Sequence, residues 1–231
     1  MADDLSRLRA EYDRRQQQHG DSDIYSLFNP AYLFYAQQRQ RDVLLLLRRK
    51  GLYPLEDRRI LEVGCGRGGV LLEYLSAGAT GRLLHGVELD EKRLGSTKTM
   101  LPHLSLVCAD GQTLPYADGS FDVVLQYMAM SSILDDTVKA NLAREMLRVL
   151  RPGGLILWYD FWLNPTNAQT RGIRPDEIRR LFAGCRCEFQ RITLAPPLAR
   201  RVVPISWLLA ALLERLRLFN SHYLAAIVPN S

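Results

Sequence analysis

A short apolar run, Arg59 to Val63, passes directly into Gly64-Cys65-Gly66-Arg67-Gly68-Gly69, and a helical pattern, Val70 to Ser76, follows at once. A strand that hands over to a helix through glycines lets the backbone approach a ligand closely, and the helix start offers N–H groups with no internal partner. The turn satisfies G-x-G-x-x-G at Gly64, Gly66 and Gly69, which by itself fits a dinucleotide. It equally satisfies E-x-G-x-G-x-G from Glu62 to Gly68. Either way the chain must build a strand-turn-helix unit with a ligand at its tip.

The segments that follow repeat the alternation. Strands are predicted at Leu83 to Glu88, Leu104 to Ala109, Phe121 to Leu125 and Leu155 to Tyr159, with helices at about 91–100 and 137–150, the second closed by Arg151-Pro152-Gly153-Gly154. Parallel strands need crossovers, so strand alternating with helix predicts an α/β fold with a doubly wound, mostly parallel sheet. A helix at about 175–183 and strands at about 186–194 and 221–228 bring the sheet to seven strands. Between the last two lies a long segment with Pro196, Pro197, Pro204 and a predicted helix, Trp207 to Leu218. Its Trp207, Leu208, Ala211, Leu212 and Leu216 are expected to pack into the core; a second lid or a membrane-surface helix is the alternative.

Upstream, Asp21 and Ser22 offer a helix start before Ile24, and Tyr25, Phe28, Tyr32, Phe34 and Tyr35 crowd five aromatics into eleven positions. A second amphipathic stretch, Gln38 to Arg49, ends at Gly51. At 231 residues this suits one large domain with elaborations: an N-terminal helical lid over 1–55, and a ligand-binding domain over 56–231 with a helical insertion at about 195–220.

Hydrophobic residues at 47% and charged residues at 24% exclude a disordered or fibrous chain. The charged opening lacks the apolar region of a secretory signal and implies a cytoplasmic protein. Apolar runs are broken by arginine well short of a bilayer span. Cys65, Cys108, Cys185 and Cys187 are too scattered for a zinc site or a disulfide framework, so no metal is expected. The net charge of +5 is concentrated: ten arginines face four acidic residues between Arg171 and Arg217. Such a stretch suits an anionic or membrane-linked partner, or is simply a solvated face.

Four ordered segments, ILEVGCGRGG at 60–69, HGVELDEKRL at 85–94, CADGQTLPYADGSFDVV at 108–124 and REMLRVLRPGGLILWYDF at 144–161, together make the chain resemble the class I S-adenosylmethionine-dependent methyltransferases of the small-molecule type. The resemblance covers about 58–160. It implies a Rossmann-like methyltransferase fold that binds S-adenosyl-L-methionine and its product S-adenosyl-L-homocysteine. Glu62 and the backbone of Gly64, Cys65 and Gly66 would meet the methionine end of the cofactor. Glu88, with Leu89 beside it, would take the ribose hydroxyls. Asp110, with Gly111 and Gln112, would meet the adenine, and Gln126 lies where the family often binds the methionine ammonium through a backbone carbonyl.

The implied function is methyl transfer to a small-molecule acceptor, at a hydroxyl oxygen. In-line displacement needs alignment and water exclusion more than a strong base. The stretch after the fourth strand, where relatives often carry histidines, has Ser131 and Ser132 instead. The catalytic residue is therefore open, with Asp160, Tyr159 and Tyr127 as candidates; His85 is expected to pack in the sheet, and His222 has no visible partner. Tyr25, Phe28 and Tyr32 are candidate acceptor contacts in the lid. So are Arg200 and Arg201, which Pro196-Pro197 would hold out of regular structure at the cleft mouth. The alternatives are a nicotinamide-dependent oxidoreductase, against which stands the lack of a Tyr-x-x-x-Lys pair, and a cofactor-binding protein without catalysis. Nucleic acid is disfavoured as acceptor because the (N/D)-P-P-(Y/F) signature is missing.

Overall fold

In the computed structural model, which describes residues 23–164 and 169–230 together with residues 7, 10, 11 and 14, seven strands form one sheet in the order β3-β2-β1-β4-β5-β7-β6. They are β1 (Ile60–Val63), β2 (Leu84–Glu88), β3 (Ser105–Cys108), β4 (Phe121–Tyr127), β5 (Leu150–Phe161), β6 (Cys185–Leu194) and β7 (Asn220–Pro229). The first five pair in parallel, and β7 enters antiparallel between β5 and β6. The expected doubly wound α/β sheet of seven strands is what the chain forms. The winding reverses between β1 and β4, the place where such sheets bind ligands beyond their strand ends.

Strand alternation divides the core into two layers. Leu61, Val63, Val124, Ile156 and Trp158 point to one face, beneath α4 (Asp136–Val149) and α5 (Pro175–Leu181). Ile60, Val123, Leu125, Leu155 and Leu157 point to the other, against Val43, Leu46 and Leu47 of α1 (Pro30–Arg49). Both layers are buried, so the central strands read as unbroken apolar runs. α2 (Gly69–Ser76) and α3 (Glu91–Met100) complete the crossovers on the β2 and β3 side.

Several expectations are corrected. The later aromatics, Tyr32, Phe34 and Tyr35, and the stretch from Gln38 share one 20-residue helix rather than two elements, while Tyr25 and Phe28 precede it. Its start is at Pro30, because Asn29 Oδ1 accepts from the N–H groups of Ala31 (3.0 Å) and Tyr32 (3.2 Å) and proline needs no N–H partner at a first helical position. Asp21 and Ser22 lie outside the described residues, as do most of the first 20 residues of the expected lid. Arg151 to Gly154 follow the end of α4 at Val149 as expected, and they also form the bulged opening of β5, where Leu150 sits opposite Phe121 and Leu155 opposite Val123.

The insertion between β6 and β7 is also more regular than expected. Pro196 and Pro197 do not hold the chain out of regular structure; they occupy the first turn of a helix, α6 (Pro196–Val202), where proline's fixed φ is already helical. Arg200 and Arg201 are thus in the last turn of α6. The next helix, α7 (Trp207–Arg215), stops short of Leu218, with Arg217 in the left-handed region at φ 59°. The core face expected for α7 is reversed: Leu208 (71% exposed), Leu212 (54%) and Leu216 (60%) face outward, while Ala210 and Glu214 are buried.

No described helix is long and apolar enough to cross a membrane.

Candidate cofactor and acceptor site

The turn after β1 is held in shape by backbone and sheet. Gly64 and Cys65 both donate their N–H to the Val87 carbonyl of β2, at 2.8 and 3.0 Å. Gly64 has φ 79°, and a side chain there would place Cβ 2.8 Å from the Ala129 Cβ, so both conformation and space demand glycine. The glycine signal in the sequence thus reports a close approach between the β1 turn and the loop after β4.

Glu88 ends β2 beside that turn and is buried. Its Oε2 accepts from Gly66 N–H at 2.8 Å, and its Oε1 from Leu89 (3.0 Å) and Asp90 (3.1 Å) N–H. Three backbone donors lock the carboxylate in one orientation and still leave lone pairs for a ligand hydroxyl. Past β3, Asp110 accepts from the backbone N–H of Gln112 at 2.9 Å and from its side-chain amide at 3.1 Å, and Gln112 is braced in turn by Asn141 at 3.0 Å.

One pocket joins these groups. Gly64, Glu88, Leu89, Asp110, Gly111 and Gln112 all line it, facing Ala129, Ile133 and Leu142. Polar edges and an apolar wall in one cleft suit a flat heterocycle joined to a sugar. The sequence-predicted residues Glu62, Cys65, Gly66 and Gln126 stand outside it. Cys65 packs with Leu71, Leu94 and Leu106, and burial pushes its thiol pKa up. The Gln126 amide donates to Asp160 Oδ2 at 2.9 Å, while its own Oε1 is buried without a partner.

Glu62 points to the opposite face of β1, into a buried polar cluster under α1. There Arg39 pairs with Glu73 of α2 and lies over the rings of Tyr159 (5.4 Å) and Tyr127 (5.8 Å). Both Glu62 Oε2 and Arg39 Nε are buried with no hydrogen-bond partner. Burial raises the Glu62 pKa to about 8, with Glu73 adding to the effect, Arg39 opposing it and Glu88 adding again. Arg39 and Glu73 were not singled out in the sequence. Nothing local marks them, because their roles arise from the packing of α1 on the sheet.

The candidate catalytic groups are all enclosed. Tyr127 OH meets Tyr74 OH at 3.4 Å, and Tyr159 OH meets Thr193 Oγ1 at 2.8 Å. Burial pushes the Tyr159 phenol up to about 12 and Tyr127 well above its usual range. Asp160 accepts from Gln126, from Ser131 N–H at 3.0 Å and from Phe161 N–H at 2.8 Å, and its pKa too is raised by burial. His85 packs edge-on to Tyr116 and Phe121. His222, far from lacking neighbours, stacks on Tyr159 at 4.8 Å and meets Ser221 Oγ at 3.0 Å, and burial lowers its pKa to about 3.

The lid candidates divide. Tyr32 is half-buried, with its ring edge-on to Tyr35 (5.0 Å) and Tyr25 (6.1 Å). Tyr25 and Phe28 precede α1 and are exposed, Phe28 at 95%. From the N-terminal segment, Arg7 donates to the Ser132 carbonyl at 2.6 Å, across the loop that follows β4.

Residues 60–154, which carry Gly64, Glu88, Asp110 and Gln126, match a family model described as a methyltransferase domain. By that match, residues 60–154 are a methyltransferase domain. Among curated relatives, the chain is 34% identical over 140 residues to phthiotriol/phenolphthiotriol dimycocerosates methyltransferase 1 of Mycobacterium ulcerans, covering 57% of this chain and 48% of that protein. It is 31% identical over 139 residues to 27-O-demethylrifamycin SV methyltransferase of Amycolatopsis mediterranei, with 57% and 48% covered. The chain spans about half the length of these relatives. In structure it is similar to magnesium protoporphyrin IX methyltransferase from Synechocystis with bound SAM, at a TM-score of 0.65 and 14% identity, covering 97% of each chain. The matched residues hold Gly64, Glu88 and Asp110, whereas α1, α6 and α7 lie outside them.

Proposed function

We propose that the chain transfers the methyl group of S-adenosylmethionine to a hydroxyl oxygen of a small molecule. The observation that carries this reading is the single pocket in which the fixed Glu88 carboxylate and Asp110 face one another across Gly64 and Gly111. Glu88 would take the vicinal ribose hydroxyls, and Asp110 with Gln112 the adenine edge. The methionine end would reach the polar cluster under α1, where Glu62, once it gives up its proton, and Arg39 each offer an unpartnered polar atom to the ammonium and carboxylate of an amino acid.

Bound there, the cofactor supplies a methyl group on a sulfonium, ready for displacement. The chain's own part is alignment and enclosure. Asp160 fixes Ser131 and Gln126 and so shapes the loop after β4; it acts as a positioning residue. Tyr127 and Tyr159 stay protonated and serve as ring walls and hydrogen-bond partners rather than bases. Since Asp160 is engaged by three donors and both phenols stay protonated, acceleration comes from orientation and dryness, and the acceptor hydroxyl must carry a readily lost proton. The N-terminal segment and α1 would form the lid, a reading supported by Arg7 on Ser132 and Arg39 over Tyr159. The name of the rifamycin relative, which specifies an oxygen position, supports oxygen as the acceptor atom.

Incubating the protein with a metabolite extract and S-adenosylmethionine carrying a labelled methyl group tests this. Label recovered as a base-stable methyl ether on a small molecule is the expected result. Label on carbon or nitrogen would refute oxygen as acceptor, and cofactor binding without any transfer would favour a binding protein.

A further inference from the structure

α7 is mounted with its leucine side outward. Ala210 and Glu214, one turn apart, form the buried face, and Leu208, Leu209 and Leu212 form the exposed one. The orientation is locked by polar contacts. Glu214 Oε1 accepts from Thr193 N–H at 3.0 Å, the Glu214 carbonyl accepts from the Asn220 amide at 3.0 Å, and Ser206 Oγ caps the helix through Leu209 N–H at 3.2 Å. Trp207 packs edge-on to Phe34 of α1 at 5.2 Å. Turning the leucines inward would break the Glu214 bonds. Ile205 before the helix, and Leu216, Leu218 and Phe219 after it, extend the exposed apolar surface.

The same segment carries Arg200, Arg201, Arg215 and Arg217, all exposed and none in an ion pair among the described residues. The only acidic residue from 195 to 219 is the buried Glu214. Along the chain, the exposed leucines are therefore flanked on both sides by exposed arginines. The surface also lies at the ligand edge of the sheet, since Leu194 sits opposite Asn220 and Phe161 opposite His222. Thr193, held by Glu214, reaches Tyr159 at the end of β5.

We propose that the α6–α7 surface docks on an anionic lipid bilayer, with its leucines in the interface and its arginines among the phosphates. Charge complementarity selects this occupant. A second copy would bring four unneutralised arginines against four more, and a neutral apolar partner would leave all four unanswered. An amphipathic element with a basic rim lies in the interface plane without spanning it. Docked this way, the ligand edge of the sheet faces the lipid.

Flotation of the full chain with vesicles tests the proposal, and because it is read without cofactor its outcome is independent of the methyl-transfer reading. Vesicles of equal parts phosphatidylcholine and phosphatidylglycerol should capture at least about ten-fold more protein than phosphatidylcholine alone, and high salt should weaken the capture. The variant with Leu208→Gln and Leu212→Gln should lose capture while keeping its melting temperature, and Arg215→Gln should reduce capture. No capture on anionic vesicles, equal capture on neutral ones, or unchanged capture of the leucine variant would overturn the proposal. A dimer in sedimentation that the leucine changes dissolve, in a native chain that ignores vesicles, would assign the face to self-association instead.

Discussion

Gly66 donates its backbone N–H to the Glu88 carboxylate at 2.8 Å, joining the turn after β1 to the end of β2. The carboxylate is thereby oriented before any ligand arrives, so its attraction for vicinal hydroxyls is not spent on ordering the side chain.

Glu88→Ala should weaken S-adenosylhomocysteine binding by about ten-fold to a hundred-fold, the value of a charge-assisted hydrogen bond. It should also lower the melting temperature, because three backbone N–H groups lose their acceptor. Calorimetric titration with a melting curve reads both. An unchanged dissociation constant in the folded variant would place the ribose contact elsewhere.

Glu62 gives stability a pH dependence. Burial raises its pKa to about 8 in the folded chain, against an ordinary value of 4.5. Between those values the folded state holds a proton that the unfolded state has released. Its contribution is therefore full below 4.5 and is lost as pH rises through about 8. Glu62→Gln, which cannot ionise, should lose less stability over that window, with melting curves diverging by several degrees, on the order expected for a 1 to 2 kcal/mol effect. Parallel melting profiles for the two proteins across the window would contradict a buried, protonated Glu62.

Arg39 and Glu73 form an ion pair of low exposure, so removing one partner leaves the other charge uncompensated. Arg39→Met should cost on the order of 3 kcal/mol, and the double change with Glu73→Met should recover much of it. If Arg39 also receives the cofactor's carboxylate, the double variant regains stability without regaining cofactor affinity. Recovery of both together would make the pair purely structural.

The strands of the sheet were legible because buried parallel strands are short apolar runs punctuated by glycine, proline and aspartate. Gly64, Glu88 and Asp110 were legible because each lies at or just past the end of a strand, where local spacing alone places it. The α6 helix was not, since Pro196-Pro197 reads equally as a breaker and as a first turn. The outward face of α7 was hidden because Glu214 decides it through Thr193 and Asn220, partners 21 and 6 residues away. Arg39 was hidden for the same reason: its ion pair with Glu73 bridges two helices.

Calorimetric titration of the purified chain with S-adenosylhomocysteine and, separately, with NAD tests the central claim most directly. One saturable site for S-adenosylhomocysteine, weakened in Glu88→Ala, and no heat of binding from NAD are the expected results. Saturable NAD binding with no response to S-adenosylhomocysteine would contradict that claim.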